Sequence, residues 1–234
     1  MKIGIIGIEG LSSGKANLID GRLDTLQKMF SSAKKVYIQV ELISENEKLK
    51  EADGLLGAQS AKLDFILNDL EFIENRLERS QDEAEKKLLS RFKDTLDKER
   101  FLSELTLTEE ENRLISGYPL LTVKPIFLAD ALDLEEKDRL LMSAYNYFGY
   151  LSFFTATEKD VRAWSIKKGT PALEAAGCIH SDIQKGFIRA EVVSFQDLIN
   201  DGGLSGARSH NHLRLENKDY VVQDGDYMLF RFNK

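Results

Sequence analysis

This 234-residue sequence has a single cysteine, no apolar run long enough to cross a bilayer and no surplus of positive charge. The single cysteine, Cys178, excludes an internal disulfide framework and indicates a reducing compartment. The longest apolar run spans residues 147–154 and is interrupted by Gly149 and Ser152, so it is too short to cross a bilayer. The N-terminal residues lack the apolar core and cleavage site of a signal peptide, and we therefore expect a cytoplasmic protein with no membrane partner.

The charge balance is acidic. Lysine and arginine number 32 against 39 aspartates and glutamates, which gives a formal net charge of −7. Residues 151–234 contain 11 residues of each sign, so the whole deficit lies in the first 150 residues. A strongly basic surface of the kind that binds nucleic acid is therefore excluded for the chain as a whole, and an RNA partner would need a local basic patch. We expect no DNA partner.

The first sixteen residues have the outline of a phosphate-binding loop. An apolar stretch at residues 2–6 is typical of a strand, and it leads into a glycine-rich segment that contains Gly7, Gly14 and Lys15. In a working P-loop, with the pattern G-x-x-x-x-G-K-[ST], backbone N–H groups and the lysine surround the phosphates while the hydroxyl binds Mg²⁺. Gly7, Gly14 and Lys15 are therefore the candidate cofactor-binding residues.

The details of this loop depart from the working pattern. The spacing from Gly7 to Gly14 is two residues too long, and the spacing from Gly10 is one too short. Ala16 follows the lysine, so no hydroxyl is present for a metal ion, and Glu9 puts a carboxylate where an anion should bind. We expect no catalytic residues, no metal and no cofactor, with ATP or GTP as the alternative ligand.

Apolar periodicity divides the chain into segments. Up to about residue 44 it indicates a strand, a helix and a second strand. From 58 to 105 it indicates two helices with apolar residues at three- and four-residue steps, which would pack antiparallel. From about residue 114 the pattern again indicates an α/β unit. From residue 151 onward it indicates a small sheet crossed by a helix. The individual predictions are a helix within 18–30, strands at 34–43, 120–128, 161–166 and 186–193, helices at 134–147 and 172–177, and a hairpin of 220–222 with 227–232.

Several C-terminal segments resemble a known family. These segments are residues 151–155, 161–169, 175–182, 185–192 and 220–226. They closely resemble the TGS domain of the YchF (Obg-like ATPase) family, and residues 67–79 look like the start of that family's inserted helical hairpin. The resemblance implies an α/β fold with a reduced P-loop NTPase-like domain (1–57 and 106–149), an inserted antiparallel helical hairpin (58–105) and a C-terminal β-grasp, ubiquitin-like TGS domain (150–234).

The resemblance also identifies nucleotide motifs that this sequence has lost. The family's loop, G-x-P-N-V-G-K-S-T in type, is matched only at Gly7, Gly14 and Lys15. Its D-x-x-G motif should follow the strand at 40–43, where the chain instead continues Ser44-Glu45-Asn46-Glu47. Its base-reading N-x-x-E would fall on Ala131 and Leu134, or on Asp130 and Asp133 after a shift of one residue. Since phosphoryl transfer depends on positioning and charge neutralisation, we expect no meaningful ATPase or GTPase activity.

Five basic residues of the TGS-like part form the candidate partner surface, namely Arg162, Lys167, Lys168, Lys185 and Arg189. Each could contact RNA phosphate, and the resemblance implies a partner such as the ribosome or another RNA–protein complex. An ordinary solvated sheet face is the competing interpretation of the same residues.

The histidines and the cysteine are the other residues with candidate chemistry. His210 and His212 lie two residues apart, but no carboxylate or cysteine accompanies them at fixed spacing, so we expect them to be solvent-exposed and metal-free. His180 is the third histidine. Cys178 is expected to be a small buried residue.

These observations leave three functional hypotheses. The first is a degenerate YchF-like pseudo-NTPase that acts as a binding or adaptor protein through its TGS domain. The second is a regulatory protein that still binds ATP or GTP through Lys15, or a weak NTPase of the YchF/Obg-like family. The third is a scaffold that self-associates through the helical hairpin.

Overall fold

The computed structural model describes residues 1–130 and 136–233, which form two compact units. The first unit comprises Met1–Ala16 and Val40–Phe148, and the second comprises Asn17–Gln39 together with the residues from Gly149 onward. Within the described ranges, every helix falls short of the length and hydrophobicity that a bilayer crossing requires. The predicted mixed α/β class is confirmed, with the described strands arranged in two sheets.

The strands, in chain order, are β1 (Lys2–Ile6), β2 (Gly14–Leu18), β3 (Lys34–Val36), β4 (Ile38–Ile43), β5 (Gly54–Ala58), β6 (Ile126–Ala129), β7 (Tyr150–Ala156), β8 (Asp160–Lys167), β9 (Phe187–Ser194), β10 (Arg214–Glu216) and β11 (Asp226–Phe232). The helices are α1 (Arg22–Phe30), α2 (Lys62–Arg79), α3 (Glu83–Leu96), α4 (Glu109–Ile115), α5 (Lys137–Tyr147), α6 (Ala172–Ile179), α7 (Ser181–Lys185), α8 (Phe195–Asn200) and α9 (Leu204–Ser209). Short 3₁₀ turns lie at Asn46–Glu51, Gln59–Ala61 and Leu102–Glu104.

The first sheet has the strand order β2-β4-β1-β5-β6. β1 runs parallel to both β4 and β5, and β6 runs parallel to β5. All residues of β5 are buried, as is usual for a strand covered on both faces. Because parallel strands end at the same edge, the segments that follow β1, β4 and β5 begin at one edge of this sheet, where α/β proteins bind their ligands.

The predicted helical hairpin is formed by α2 and α3. Asp82 caps α3 by accepting hydrogen bonds from the backbone N–H groups of Ala84 and Glu85. The ion pair between Lys93 and Glu74 (2.6 Å) lies further from the connection than the Arg76–Glu85 pair, which shows that the helices run antiparallel. Their apolar faces share one core cluster, which contains Ile66, Ile73, Leu88, Leu89, Phe92 and Leu96.

Buried Asp69 links α2 to the segment before β6. Its carboxylate accepts hydrogen bonds from the backbone N–H groups of Leu121 (2.9 Å) and Thr122 (2.7 Å) and from the Thr122 hydroxyl (2.6 Å). Burial raises the pKa of this carboxyl group. The residues held by Asp69 are not extended, so the strand predicted at 120–128 was wrong in its first half and begins at Ile126.

Glu85 forms a second polar link, beside the connection between α2 and α3. It accepts a hydrogen bond from Arg76 Nε (2.6 Å) and others from the hydroxyl groups of Ser80 and Tyr118. Chiefly through the Arg76 hydrogen bond, these groups lower the pKa of Glu85 to about 2. Glu85 therefore stays ionised at any ordinary pH, and the connection keeps its hydrogen bonds.

The second sheet has the order β10-β9-β11-β7-β8-β3. β9 is antiparallel to β10 and β11, β7 is antiparallel to β8, and β11 runs parallel to β7. The edge strand β3 pairs in parallel with β8, with Lys34 opposite Asp160. One apolar face of this sheet packs around Phe153, Val192 and Met228.

The segment predicted as one strand at 34–43 is two strands that join different sheets. β3 lies in the second sheet, and β4 lies in the first, with Tyr37 between them. α1 also packs in the second unit, where Leu23 and Leu26 are fully buried and Phe30 stacks on Tyr227 with ring centroids 4.8 Å apart. Residues 17–39 therefore pack with the C-terminal residues, whereas the predicted boundary placed them in the N-terminal domain.

Other local predictions were partly right. The strands predicted at 161–166 and 186–193 correspond to β8 and β9. The C-terminal hairpin was wrong, because β11 is flanked by β9 and β7 while Val221 forms only an isolated bridge to Pro171. The helix predicted at 134–147 is present as α5, and residues 131–135 lie outside the described ranges.

Candidate functional site

The loop after β1 ends in a strand, not in a helix. Gly7 and Gly14 lie at its two ends, and Lys15 follows as an exposed residue of β2. α1 begins only at Arg22. A P-loop binds phosphate because its N–H groups and lysine converge at the N-terminus of the next helix. The structure keeps these three candidate residues in one segment, but the segment that continues from Gly14 and Lys15 is the strand β2 and not a helix.

Two serines fix the far end of this loop. The hydroxyl groups of Ser13 and Ser44 are 2.7 Å apart, and the backbone N–H of Ser44 donates to Ser13 Oγ (2.9 Å). Ser44 directly follows β4, which is the place where the family's metal-side aspartate motif was expected. The hydroxyl that occupies this position holds the loop and carries no negative charge for a metal ion.

Lys137 brings to the loop a cation that no sequence pattern predicts. It is the first residue of α5, and a Cβ atom built on Gly10 would lie only 2.3 Å from its Nζ atom. Gly10 also has a positive φ of 77°. A side chain at this position would be strained and would displace the ammonium group. The base-reading positions Ala131, Asp133 and Leu134 lie outside the described residues, just before this helix.

A cavity opens near the end of β1. Its described lining is mostly apolar and consists of Ile6, Leu49, Asp64, Phe65, Asn68, Pro119 and Leu121. Asp64 is the one charged residue in this described lining, so the cavity would repel a phosphate group. No described residue of this cavity therefore replaces the missing phosphate ligands.

The structure separates the five predicted basic residues. Arg162 lies on β8, where its guanidinium stacks on Trp164 at 5.0 Å and pairs with Asp160 at 3.4 Å. Lys167 and Lys168 are exposed at the end of β8. Lys185 ends α7 and is exposed.

Strand register places Lys167 and Arg189 at opposite ends of the second sheet. Lys167 is paired with Tyr150, the first residue of β7. Arg189 is paired with Arg231 near the end of β11, which runs parallel to β7. The five residues therefore do not form a single surface.

A more compact group of arginines surrounds Glu191 on β9, and we call Arg189, Arg208 and Arg231 the arginine patch. The Glu191 side chain is 11% exposed and accepts from Arg208 Nη2 (3.3 Å) and Arg231 Nε (2.8 Å). All three arginines are exposed, and with one glutamate they leave a net charge of +2. The sequence places Arg189 and Glu191 on one face of a strand, but it contains no signal that brings Arg208 or Arg231 to them.

Two of the histidines share one carboxylate. Asp201 accepts hydrogen bonds of 2.7 Å at its two oxygens from Nδ1 of His210 and of His212. The bond to Asp201 raises the pKa of His212, and the two rings lower the pKa of Asp201. Both rings are exposed as predicted, but the accompanying carboxylate was missed because it lies nine residues away in the sequence.

The remaining histidine and the cysteine lie elsewhere in the second unit. His180 caps α7 by accepting from the backbone N–H of Asp182. Cys178 is exposed on α6, so the prediction of a buried cysteine was wrong. Partial desolvation and Glu174 raise the pKa of its thiol, which therefore has little thiolate character at neutral pH.

The C-terminal residues match the model of a known protein family. Over residues 150–233 the match is to YchF-GTPase_C, described as a protein of unknown function (DUF933). The "Ribosome-binding ATPase YchF" of Bacillus subtilis is 33% identical over a gapped alignment of 246 residues, which covers 77% of this chain and 67% of that relative. The chain belongs to the YchF family.

Other YchF proteins show the same similarity. The "Ribosome-binding ATPase YchF" of Mycoplasma genitalium is 34% identical over 214 residues, covering 89% of this chain and 55% of that relative. The protein of the same name from Haemophilus influenzae is 48% identical over 109 residues, covering 46% of this chain and 30% of that relative. This YchF-family chain thus spans from about a third to two thirds of these relatives.

A solved YchF structure has the same fold. The YchF GTPase of Schizosaccharomyces pombe aligns with a TM-score of 0.75 at 16% identity, covering 99% of this chain and 97% of that chain. At this identity the agreement concerns the fold alone. In this YchF-family chain the strand β2 begins at Gly14, directly after the loop that follows β1.

Proposed function

We propose that this YchF-family chain binds the ribosome through its C-terminal unit and acts by binding, without nucleotide hydrolysis. Its Bacillus, Mycoplasma and Haemophilus relatives are named ribosome-binding ATPases, which supports the partner. Within this proposal the residues from 150 onward are a TGS domain, and the protein works in the cytoplasm as an adaptor.

Lys15 lies on the edge strand β2, and this position is the main reason to propose that the chain does not hydrolyse nucleotide. Without a following helix, its ammonium and the loop N–H groups do not converge on a phosphate. Ala16 and Ser44 also leave the Mg²⁺ site without its hydroxyl and its carboxylate. Each transition-state ligand of this kind is worth about 3 kcal/mol, so their joint loss removes many orders of magnitude in rate.

Nucleotide titration tests this part of the proposal. We expect purified protein to release no phosphate from ATP or GTP with Mg²⁺, and its melting temperature to stay unchanged at millimolar nucleotide. A ligand present at 100 times its Kd would add about 2.7 kcal/mol of stability, which a thermal melt detects easily. Turnover at ordinary ATPase rates would refute the proposal.

A regulatory nucleotide site is the second candidate function, and the ammonium of Lys137 beside Gly10 favours it. The same melts separate the two functions. A nucleotide-dependent shift that disappears in Lys137→Ala or Lys15→Ala, but persists in the exposed control Lys98→Ala, would support this candidate. If nucleotide does not shift the melting temperature of the unaltered chain, binding to a macromolecule is the function that remains.

The arginine patch is the proposed contact with ribosomal RNA. Arg208 and Arg231 are held in place by Glu191, so little side-chain entropy is lost when they meet phosphate oxygens. Arg189 has no carboxylate partner within the described parts of the chain, so its full charge is available. Guanidinium groups suit phosphate because their N–H donors match its oxygens in pairs.

Co-sedimentation with purified ribosomes at several salt concentrations tests this contact. Binding should weaken as salt rises, and Arg189→Gln with Arg208→Gln should weaken it about tenfold and reduce the salt dependence by about two units of slope. Glu191 keeps Arg231 in this double variant, so its carboxylate is not left without a partner.

The matched control removes two positive charges from the other end of the second sheet. Lys167→Gln with Lys168→Gln changes the net charge equally and should leave ribosome binding within about twofold. Equal losses in both double variants would mean that overall charge, and not the arginine patch, determines binding.

A further inference from the structure

Asp201, His210 and His212 bring three potential metal ligands to one point. One ligand atom from each residue can be chosen so that all three lie within 4.8 Å of one another. The Asp201 side chain is 7% exposed, whereas the His210 and His212 side chains are 61% and 47% exposed. The Asp201 side chain is therefore largely buried, whereas both imidazole rings are accessible to solvent.

Short helices and close backbone contacts hold the segments that contain these residues. Asp201 follows α8, and His210 follows α9. Gly206 of α9 lies so close to Asp201 that a Cβ atom there would be 1.9 Å from the Asp201 carbonyl oxygen. The backbone N–H of His212 donates to Ala207 (2.8 Å), which folds the chain back over α9. Asp201 and His210 thus lie directly after short helices, and His212 is held by its backbone hydrogen bond to α9.

The chemistry of this donor set is that of a borderline transition metal. Two imidazoles and one carboxylate are the three protein ligands of some zinc sites, in which water or a substrate takes the fourth position. Mg²⁺ and Ca²⁺ prefer oxygen ligands alone, so the two imidazoles argue against them. Arg208, which lies on α9, donates a hydrogen bond to Glu191 and therefore does not compete with a metal ion for Asp201.

We propose that Asp201, His210 and His212 form a binding site for a divalent transition-metal ion of the zinc class. The two Nδ1 atoms and one carboxylate oxygen bind the ion. On binding, each Nδ1 gives up to solvent the hydrogen that it donates to Asp201, and the neutral ring carries its one hydrogen on Nε2. The hydrogen bonds of 2.7 Å to Asp201 already direct both Nδ1 atoms at the carboxylate oxygens, and the ion would take a position about 2.0–2.2 Å from each ligand atom.

Calorimetric titration of the full-length, chelator-treated protein with Zn²⁺ tests the site, and Co²⁺ provides a visible spectrum that reports four-coordinate binding. We expect one ion per chain with a micromolar dissociation constant. Asp201→Asn, His210→Gln and His212→Gln should each weaken binding at least about tenfold. Circular dichroism confirms that each variant is folded.

His180→Gln is the matched control. His180 is likewise exposed and has a carboxylate near it, with Nδ1 3.5 Å from Asp182, but it has no second imidazole. Its substitution should leave Zn²⁺ affinity unchanged. The proposal is overturned if the unaltered chain shows no saturable binding, or if the three site variants bind Zn²⁺ as tightly as His180→Gln does.

Discussion

A fragment that begins at residue 149 is expected not to fold by itself, although it contains the whole segment that matches the family model. It lacks α1 and β3, which complete the second unit. Leu23 and Leu26 are fully buried there, and their burial is worth about 3–6 kcal/mol together. Phe30 stacks on Tyr227, and β3 covers the edge of β8. The loss of these leucines alone reaches the lower end of the stability of a typical domain, about 5–15 kcal/mol, and the loss of the ring contact and of β3 adds to it.

Urea titrations of the fragment with and without a synthetic peptide of residues 17–39 check this expectation. Trp164, the one tryptophan of the sequence, reports on the second unit by its fluorescence. The peptide should restore a cooperative transition, and the same peptide with Leu23→Ala and Leu26→Ala should not. A cooperative transition of the fragment alone, at the midpoint seen in the full chain, would contradict the unit boundary.

Asp69→Ala is expected to destabilise the first unit by about 3–5 kcal/mol. The substitution leaves the backbone N–H groups of Leu121 and Thr122 and the Thr122 hydroxyl without their acceptor. A buried donor without a partner costs about 1–3 kcal/mol, and Thr122 is fully buried. Urea unfolding monitored by far-ultraviolet circular dichroism measures this loss of unfolding free energy, because α2 and α3 contribute strongly to the helical signal.

Asp64→Ala on the same helix is the control for this variant. Asp64 is exposed, so its removal should change the unfolding free energy by no more than about 0.5 kcal/mol. The Trp164 fluorescence transition should be unchanged in both variants if the two units unfold separately. A loss below about 1 kcal/mol in Asp69→Ala would mean that water replaces the carboxylate as the acceptor.

The sequence predicts best those elements that depend on near neighbours. The three- and four-residue apolar steps indicate α2 and α3, and the alternation at 161–166 indicates β8, because both patterns are local. The same alternation in 34–43 is compatible with either sheet, so it could not reveal that β3 and β4 separate at Tyr37. The segment at 120–125 follows an apolar pattern but is held by Asp69, which lies more than 50 residues earlier.

The candidate sites depend even more on distant pairs. The glycines and Lys15 suggest a phosphate loop, but whether a helix follows is decided by the pairing of 14–18 as an edge strand. The basic residues resemble a cluster in the sequence, whereas strand order sets Lys167 and Arg189 at opposite ends of the sheet. Carboxylates such as Glu191 and Asp201 gather arginines and histidines that no spacing rule connects.

The pairing of β3 with β8 also determines the order in which the chain can fold during synthesis. Ser32, just before β3, donates a hydrogen bond to the carbonyl of Thr157, 125 residues later. At about 5–20 residues per second, Ser32 waits roughly 6–25 s for Thr157 to be made, and Phe30 waits longer for Tyr227. During that time the apolar side chains of α1 and the β3 strand have no cover within their own unit. Folding of the second unit is therefore a late, non-local step, and the nascent chain is open to aggregation until its last strands are complete.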